Sequence, residues 1–88
     1  MKAQQRVKVR TSKGAFSSER AVSLQLADGS KVSLYADKEL IDERQGGEFL
    51  RVVVVETNSK DKTKTVLLPS ETFETMTRWA KVAQDEVI

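Results

Sequence analysis

The chain has 88 residues, no Cys and no His, 39% apolar and 32% charged residues, and a formal net charge of +2. A chain this short makes one small domain, here taken as residues 1–88, and the composition is that of a globular protein with a modest core, not a disordered one. Without Cys or His there are no disulfides, no thiolate or imidazole metal sites, and no Ser-His-Asp or Cys-His catalysis.

In chain order, residues 1–10 are polar and basic with no apolar run behind them, so no secretory signal is expected. The longest apolar run is Val52-Val53-Val54-Val55, far short of the roughly 20 residues of a membrane span. A cytoplasmic protein without membrane contact is the expectation. Residues 6–11 alternate strictly, with Val7 and Val9 on one face and Arg6, Lys8 and Arg10 on the other, which predicts a strand broken by Ser12-Lys13-Gly14. Residues 21–26 alternate again with Val22, Leu24 and Leu26 inward. Residues 31–36 follow with Val32, Leu34 and Ala36 inward and Lys31, Ser33 and Tyr35 outward. Asp28-Gly29 between these runs predicts a tight hairpin whose Gly takes positive φ.

Asp37 is placed to cap one helical turn that tucks Leu40 and Ile41 against the core. Gln45-Gly46-Gly47 reads as a loop. Residues 49–56 read as a fourth strand, apolar on both faces, so both faces should be covered. A polar loop at 58–62 and a fifth strand at 63–68, stopped by Pro69, come next. Residues 70–88 read two ways. Phe73, Met76, Ala80, Ala83 and Val87 have helical spacing, with Ser70 as a cap. Against this, Thr72, Thr75, Thr77 and Trp79 favour a pleated surface. Moreover, Ala36-Asp37-Lys38-Glu39-Leu40-Ile41 is echoed by Ala83-Gln84-Asp85-Glu86-Val87-Ile88, which predicts a strand at 78–82 followed by a turn. The strand reading is preferred. The fold expected is mainly β: a small single-domain barrel or bent roll of five to six short antiparallel strands, or α+β if 70–88 is a helix.

The run Val66-Leu67-Leu68-Pro69-Ser70-Glu71-Thr72-Phe73, a strand, Pro-Ser and then one turn, resembles SH3-like barrels. The resemblance implies architecture only. The aromatic groove residues of SH3 domains are missing, so binding of Pro-rich peptides does not carry over.

Motifs for chemistry are sparse. Ser59-Lys60-Asp61-Lys62 matches S-x-x-K, but in a polar loop instead of the first turn of a buried helix. No phosphate-cradling glycine motif occurs. Asp37, Glu39, Asp42 and Glu43 offer oxygen ligands for a hard cation, yet Lys38 and Arg44 lie among them, and a solvated, self-neutralised loop is the expectation. No enzyme, no cofactor, no metal and no tightly bound small molecule is expected. What remains is binding. The first reading is a protein-interaction or adaptor module, or a homodimer, using the strip Phe49, Arg51, Val53 and Val55 if the last nineteen residues leave it uncovered. The alternative is single-stranded nucleic acid or RNA on Arg6, Lys8 and Arg10, extended by Lys13 and Arg20, with Tyr35 for stacking. The cations would follow one another at about 7 Å along the strand, close to the phosphate spacing. An alternating cationic strand equally serves to protect a sheet edge.

Overall fold

A computed structural model describes residues 5–44 and 46–88. Seven strands account for most of it: β1 Gln5–Lys13, β2 Glu19–Gln25, β3 Lys31–Asp37, β4 Ile41–Arg44, β5 Gly47–Asn58, β6 Thr63–Leu67 and β7 Trp79–Ala83. Two single 3₁₀ turns, Lys38–Leu40 and Gln84–Glu86, complete the elements. All pairings are antiparallel, in the order β3-β2-β1-β5-β6-β7, with β4 also on β5. The sheet is a curled half-barrel, and residues 70–88 are strand plus turn, with no α-helix. No helix in the described residues is long and apolar enough to cross a membrane.

The curl follows from strands that change partners. Along β1, residues 5–9 pair with β5 and residues 10–13 with β2. The long β5 holds β1 on one edge and β4, then β6, in succession on the other. The register on β6 shifts between Val54 and Glu56, so Val55 is the extra residue of a bulge, a device that bends and twists a strand. The chain's end returns to β1: Val87 bridges Val7, the Arg6 N–H donates to the Ile88 carbonyl at 3.1 Å, and the Ile88 N–H donates to the Arg6 carbonyl at 2.8 Å.

The concave face holds a core of Val, Leu and Ala: Val7, Val9, Val22, Leu24, Val32 and Leu34 from β1–β3, and Leu50, Val52, Val66, Leu68, Ala80 and Val82 from the other half. The alternations at 6–11, 21–26 and 31–36 therefore land as expected. The hairpin turn is closed by the Gly29 N–H on the Leu26 carbonyl, and within this turn Gly29 takes positive φ, +91°. Asp37 accepts from the Glu39 N–H and caps the first 3₁₀ turn, while Leu40 and Ile41 pack against the core. The echo of this motif at 83–88 also follows a strand and makes the second 3₁₀ turn.

Two expectations are corrected. Residues 41–44 form β4, paired with the start of β5, and Gly47 already belongs to β5, so of the expected loop Gly46 is seen as a turn; Gln45 lies outside the described residues. The outer face of the valine run is not covered: Val53 is 43% and Val55 38% exposed. The cause lies in where the last nineteen residues go. Residues 79–83 extend the sheet edge to edge as β7 instead of lying across the face of β5. The loop 69–78 runs to the edge of β3, where the Phe73 N–H donates to the Ser33 carbonyl and the Ser70 hydroxyl to the Tyr35 carbonyl.

Candidate functional site

The convex face carries two distinct surfaces, one on each half of the sheet. On β5–β6–β7, register makes Val53, Leu67 and Trp79 direct cross-strand neighbours, and residues directly opposite in a ladder share a face. Val53 and Trp79 are exposed, Trp79 to 57%, and Leu67 between them is half-buried. The exposed Val55 lies on the bulge beside this row. The sequence strip is thus only partly realised. Phe49 is buried at its cross-strand neighbours Lys8 and Asp42, and Arg51 is engaged by Asp42. Sequence alone does not place Leu67 and Trp79 on the strip, because only strand register shows that they continue it.

Arg6 and Arg51 face each other across β1 and β5, and two cations directly opposite repel. Asp42, one strand further on, resolves this. Arg51 grips the carboxylate side-on, Nε to Oδ2 at 3.2 Å and Nη2 to Oδ1 at 3.1 Å, and Arg6 Nε donates to the same Oδ2. Hydrogen bonding from Arg51, then from Arg6, lowers the Asp42 pKa to about 2. Asp42 therefore works as a structural counter-ion.

On β1–β2–β3 the outward residues form rows. Arg10, Ser23 and Ser33 lie side by side, as do Ser12, Ala21 and Tyr35. Two hollows join here through Arg10 and Ser23. One, of about 270 Å³, lies where β1 leaves β2 and is lined by Lys8, Arg10, Lys31, Glu86, Ser23 and Gln25. The other, of about 230 Å³, has the small side chains of Ser12, Ala21, Ser23 and Ser33 along its floor. Lys8, Arg10 and Lys31 are exposed, and among the described residues none of them is in an ion pair. Tyr35, 42% exposed, meets the ring of Phe73 edge to face at a centroid distance of 5.1 Å, and Phe73 is itself 56% exposed. Of the cations proposed from sequence, Lys8 and Arg10 stay on this face and Arg6 is drawn to Asp42. Lys13 and Arg20 stand opposite each other with the alternation of the inner face, Arg20 beside a hollow with Lys38, Glu39 and Glu43.

The loop behind Phe73 is built on threonines. The buried Thr72 accepts from the Thr75 N–H at 3.2 Å, its hydroxyl meets that of Thr75, and its N–H donates to the Thr77 carbonyl. Glu74 accepts from the Ser33 hydroxyl at 2.6 Å and from the Ser33 N–H at 2.7 Å, bonds that hold its carboxyl below the usual range.

The other sequence motifs serve structure. Asn58 Oδ1 accepts from the N–H groups of Lys60 and Asp61 and makes the turn that contains Ser59-Lys60-Asp61-Lys62. Asp37 is a cap and Asp42 a counter-ion, and among the described residues no three carboxylates cluster as metal ligands would. No protein-family model matches the chain, and no curated protein or solved structure matches it.

Proposed function

We propose that this chain is a non-catalytic binding module that docks a protein partner on the outer face of β5–β6–β7. The single observation that carries this reading is the cross-strand row Val53, Leu67 and Trp79, left open in a chain whose concave core is otherwise filled by Val, Leu and Ala. An exposed Trp on an edge strand is costly to leave in water, and Trp is among the residues most enriched at the energetic centres of interfaces. The half-buried Leu67 would form the floor, Trp79 the anchor, and Thr65 and Lys81, paired on the next outward row, a polar rim. The non-catalytic part rests on the residue inventory and on the structural duties of the acids: each acid with a perturbed pKa is bound by Ser or Arg partners that hold it ionised. An ionised, occupied carboxylate is a poor general acid.

The test is photo-cross-linking from a benzoylphenylalanine placed at position 79, with position 13 on the opposite face as the control, joined to sedimentation velocity of the purified protein. The expected result is one discrete adduct from position 79 that Val53→Asp abolishes, with affinity for the captured partner falling about 30-fold or more on Trp79→Ala. If the partner is a second copy, the protein sediments as a dimer that Val53→Asp dissociates. A monomer that yields no adduct from position 79 rejects the reading.

A further inference from the structure

The geometry points to a second binding surface, for a single strand of nucleic acid, on the outer face of β1–β2–β3. It is independent of the Trp79 row and lies on the other half of the sheet. Three observations converge on it. The hollow at the fork of β1 and β2 brings together Lys8, Arg10 and Lys31 against one carboxylate, Glu86, and the three cations are exposed and outside any ion pair among the described residues. The adjoining hollow is floored by Ser12, Ala21, Ser23 and Ser33, small side chains that leave room for a chain to lie across the strands; Ser12 and Ser23 offer hydroxyls to it, while that of Ser33 is held by Glu74 at the β3 edge. At its far end Tyr35 stands beside Phe73 in an exposed edge-to-face pair. Cations at one end, a low polar floor, and aromatic rings at the other are the three parts of a sequence-tolerant single-strand site: phosphates are neutralised while bases stack.

The dimensions agree. Arg10 and Tyr35 are two strands and one row apart, so their Cα atoms are separated by about 12 Å, from the inter-strand spacing and the rise per residue. That is a span of two nucleotides with the phosphates near 7 Å apart. A duplex fits poorly, because its bases are stacked inside and unavailable to Tyr35 and Phe73. An acidic protein segment would match the cations but make no use of the aromatic pair.

Fluorescence anisotropy with a labelled 15-residue oligo-dT, titrated over a series of salt concentrations, tests the assignment. Three neutralised phosphates give a slope of log K against log salt of about −2 for a single strand, and Arg10→Ala and Lys31→Ala each flatten it by about 0.7. Both residues are exposed, so these variants keep the fold. Lys13→Ala, on the opposite face, leaves affinity unchanged. Tyr35→Ala weakens binding about 5- to 100-fold, whereas Tyr35→Phe, which keeps the stacking surface, restores it. Glu86→Gln tightens binding by removing the one negative charge in the hollow. Trp79→Ala has no effect here, which separates failure of this inference from failure of the protein-docking reading. Absence of binding at low salt overturns the proposal. So does equal weakening by Lys13→Ala and Arg10→Ala, or equally tight binding of oligo-glutamate of matched charge.

Discussion

Gly14 and Gly29 both interrupt strand pairing, and substitution meets a different obstacle at each. Gly29 has open space where a side chain would go, but its φ of +91° is a conformation that a β-branched residue resists. Gly29→Val should therefore cost about 1 kcal/mol or more, and Gly29→Asn much less, in urea unfolding followed by circular dichroism. At Gly14 a Cβ would come within 2.5 Å of the Glu19 carbonyl oxygen and 2.7 Å of its carbon, so backbone would have to move. Gly14→Ala is expected to cost about 1 to 3 kcal/mol in the same measurement. Thr63 gives the opposite sign. Its buried hydroxyl has no hydrogen-bond partner among the described residues, so Thr63→Val, nearly isosteric, should be neutral or stabilising. Asp42 sets a pH dependence. Its carboxyl sits at about 2, below the ordinary 3.8, so its contribution is complete above the unfolded-state value and is lost as pH falls from about 4 towards 2. Asp42→Asn should flatten the acid limb of a melting-temperature profile across that window, and an unchanged limb would mean that Arg6 and Arg51 do not hold it.

At the scale of elements, the loop 69–78 is the one whose job differs most from its appearance. It latches onto the exposed side of β3 through Phe73, Glu74 and Ser70, and so occupies a strand edge that would otherwise be open to another chain. Glu74→Ala removes both bonds to Ser33. Amide hydrogen exchange at Ser33 and through residues 72–77 should then accelerate while β5 and β6 stay protected. The sequence shows the strands that local pattern dictates. Val7 and Val9, Val22 and Leu24, and Val32 and Leu34 alternate because each strand buries one face, and Asp28-Gly29 marks its turn by backbone chemistry alone. The echo of 36–41 at 83–88 likewise identifies the strand before the last turn. β4 is silent, because Ile41 is its one apolar residue and the edge of β5 dictates its pairing. The open outer face of the valine run was hidden for a related reason: whether a later segment lies across a sheet or beside it depends on register, which Leu67 and Trp79 reveal only once paired. Of the cationic face, the alternation of Arg6, Lys8 and Arg10 is legible; Lys13 and Arg20, expected to extend it, fall instead on the alternation of the inner face. The diversion of Arg6 to Asp42 is not legible, since the two are 36 residues apart.

Across the whole molecule, the division of the convex surface has a consequence for mutational scanning. Trp79 is 57% exposed, so Trp79→Ala should leave stability within about 0.5 kcal/mol of the parent while weakening partner binding about 30-fold or more. Substitutions at Leu50 or Val66, both fully buried, should do the reverse in order: Leu50→Ala is expected to cost about 2 to 5 kcal/mol and to impair every binding activity together.

The return of the last residues to β1 bears on how fast the protein folds. The hairpin of β2 and β3 closes a short loop around Gly29, but the ladder between Arg6 and Ile88 joins residues separated by nearly the whole chain. Loop-closure entropy makes such a contact late, and a topology rich in long-range pairs folds in milliseconds to seconds, not microseconds. In stopped-flow chevrons, Ile88→Pro, which removes the N–H donated to Arg6, should leave the refolding rate nearly unchanged and raise the unfolding rate. Gly29→Val should instead slow refolding. The seam at Ile88 thus governs how long the native state survives once formed, and the turn at Gly29 governs how soon it is reached.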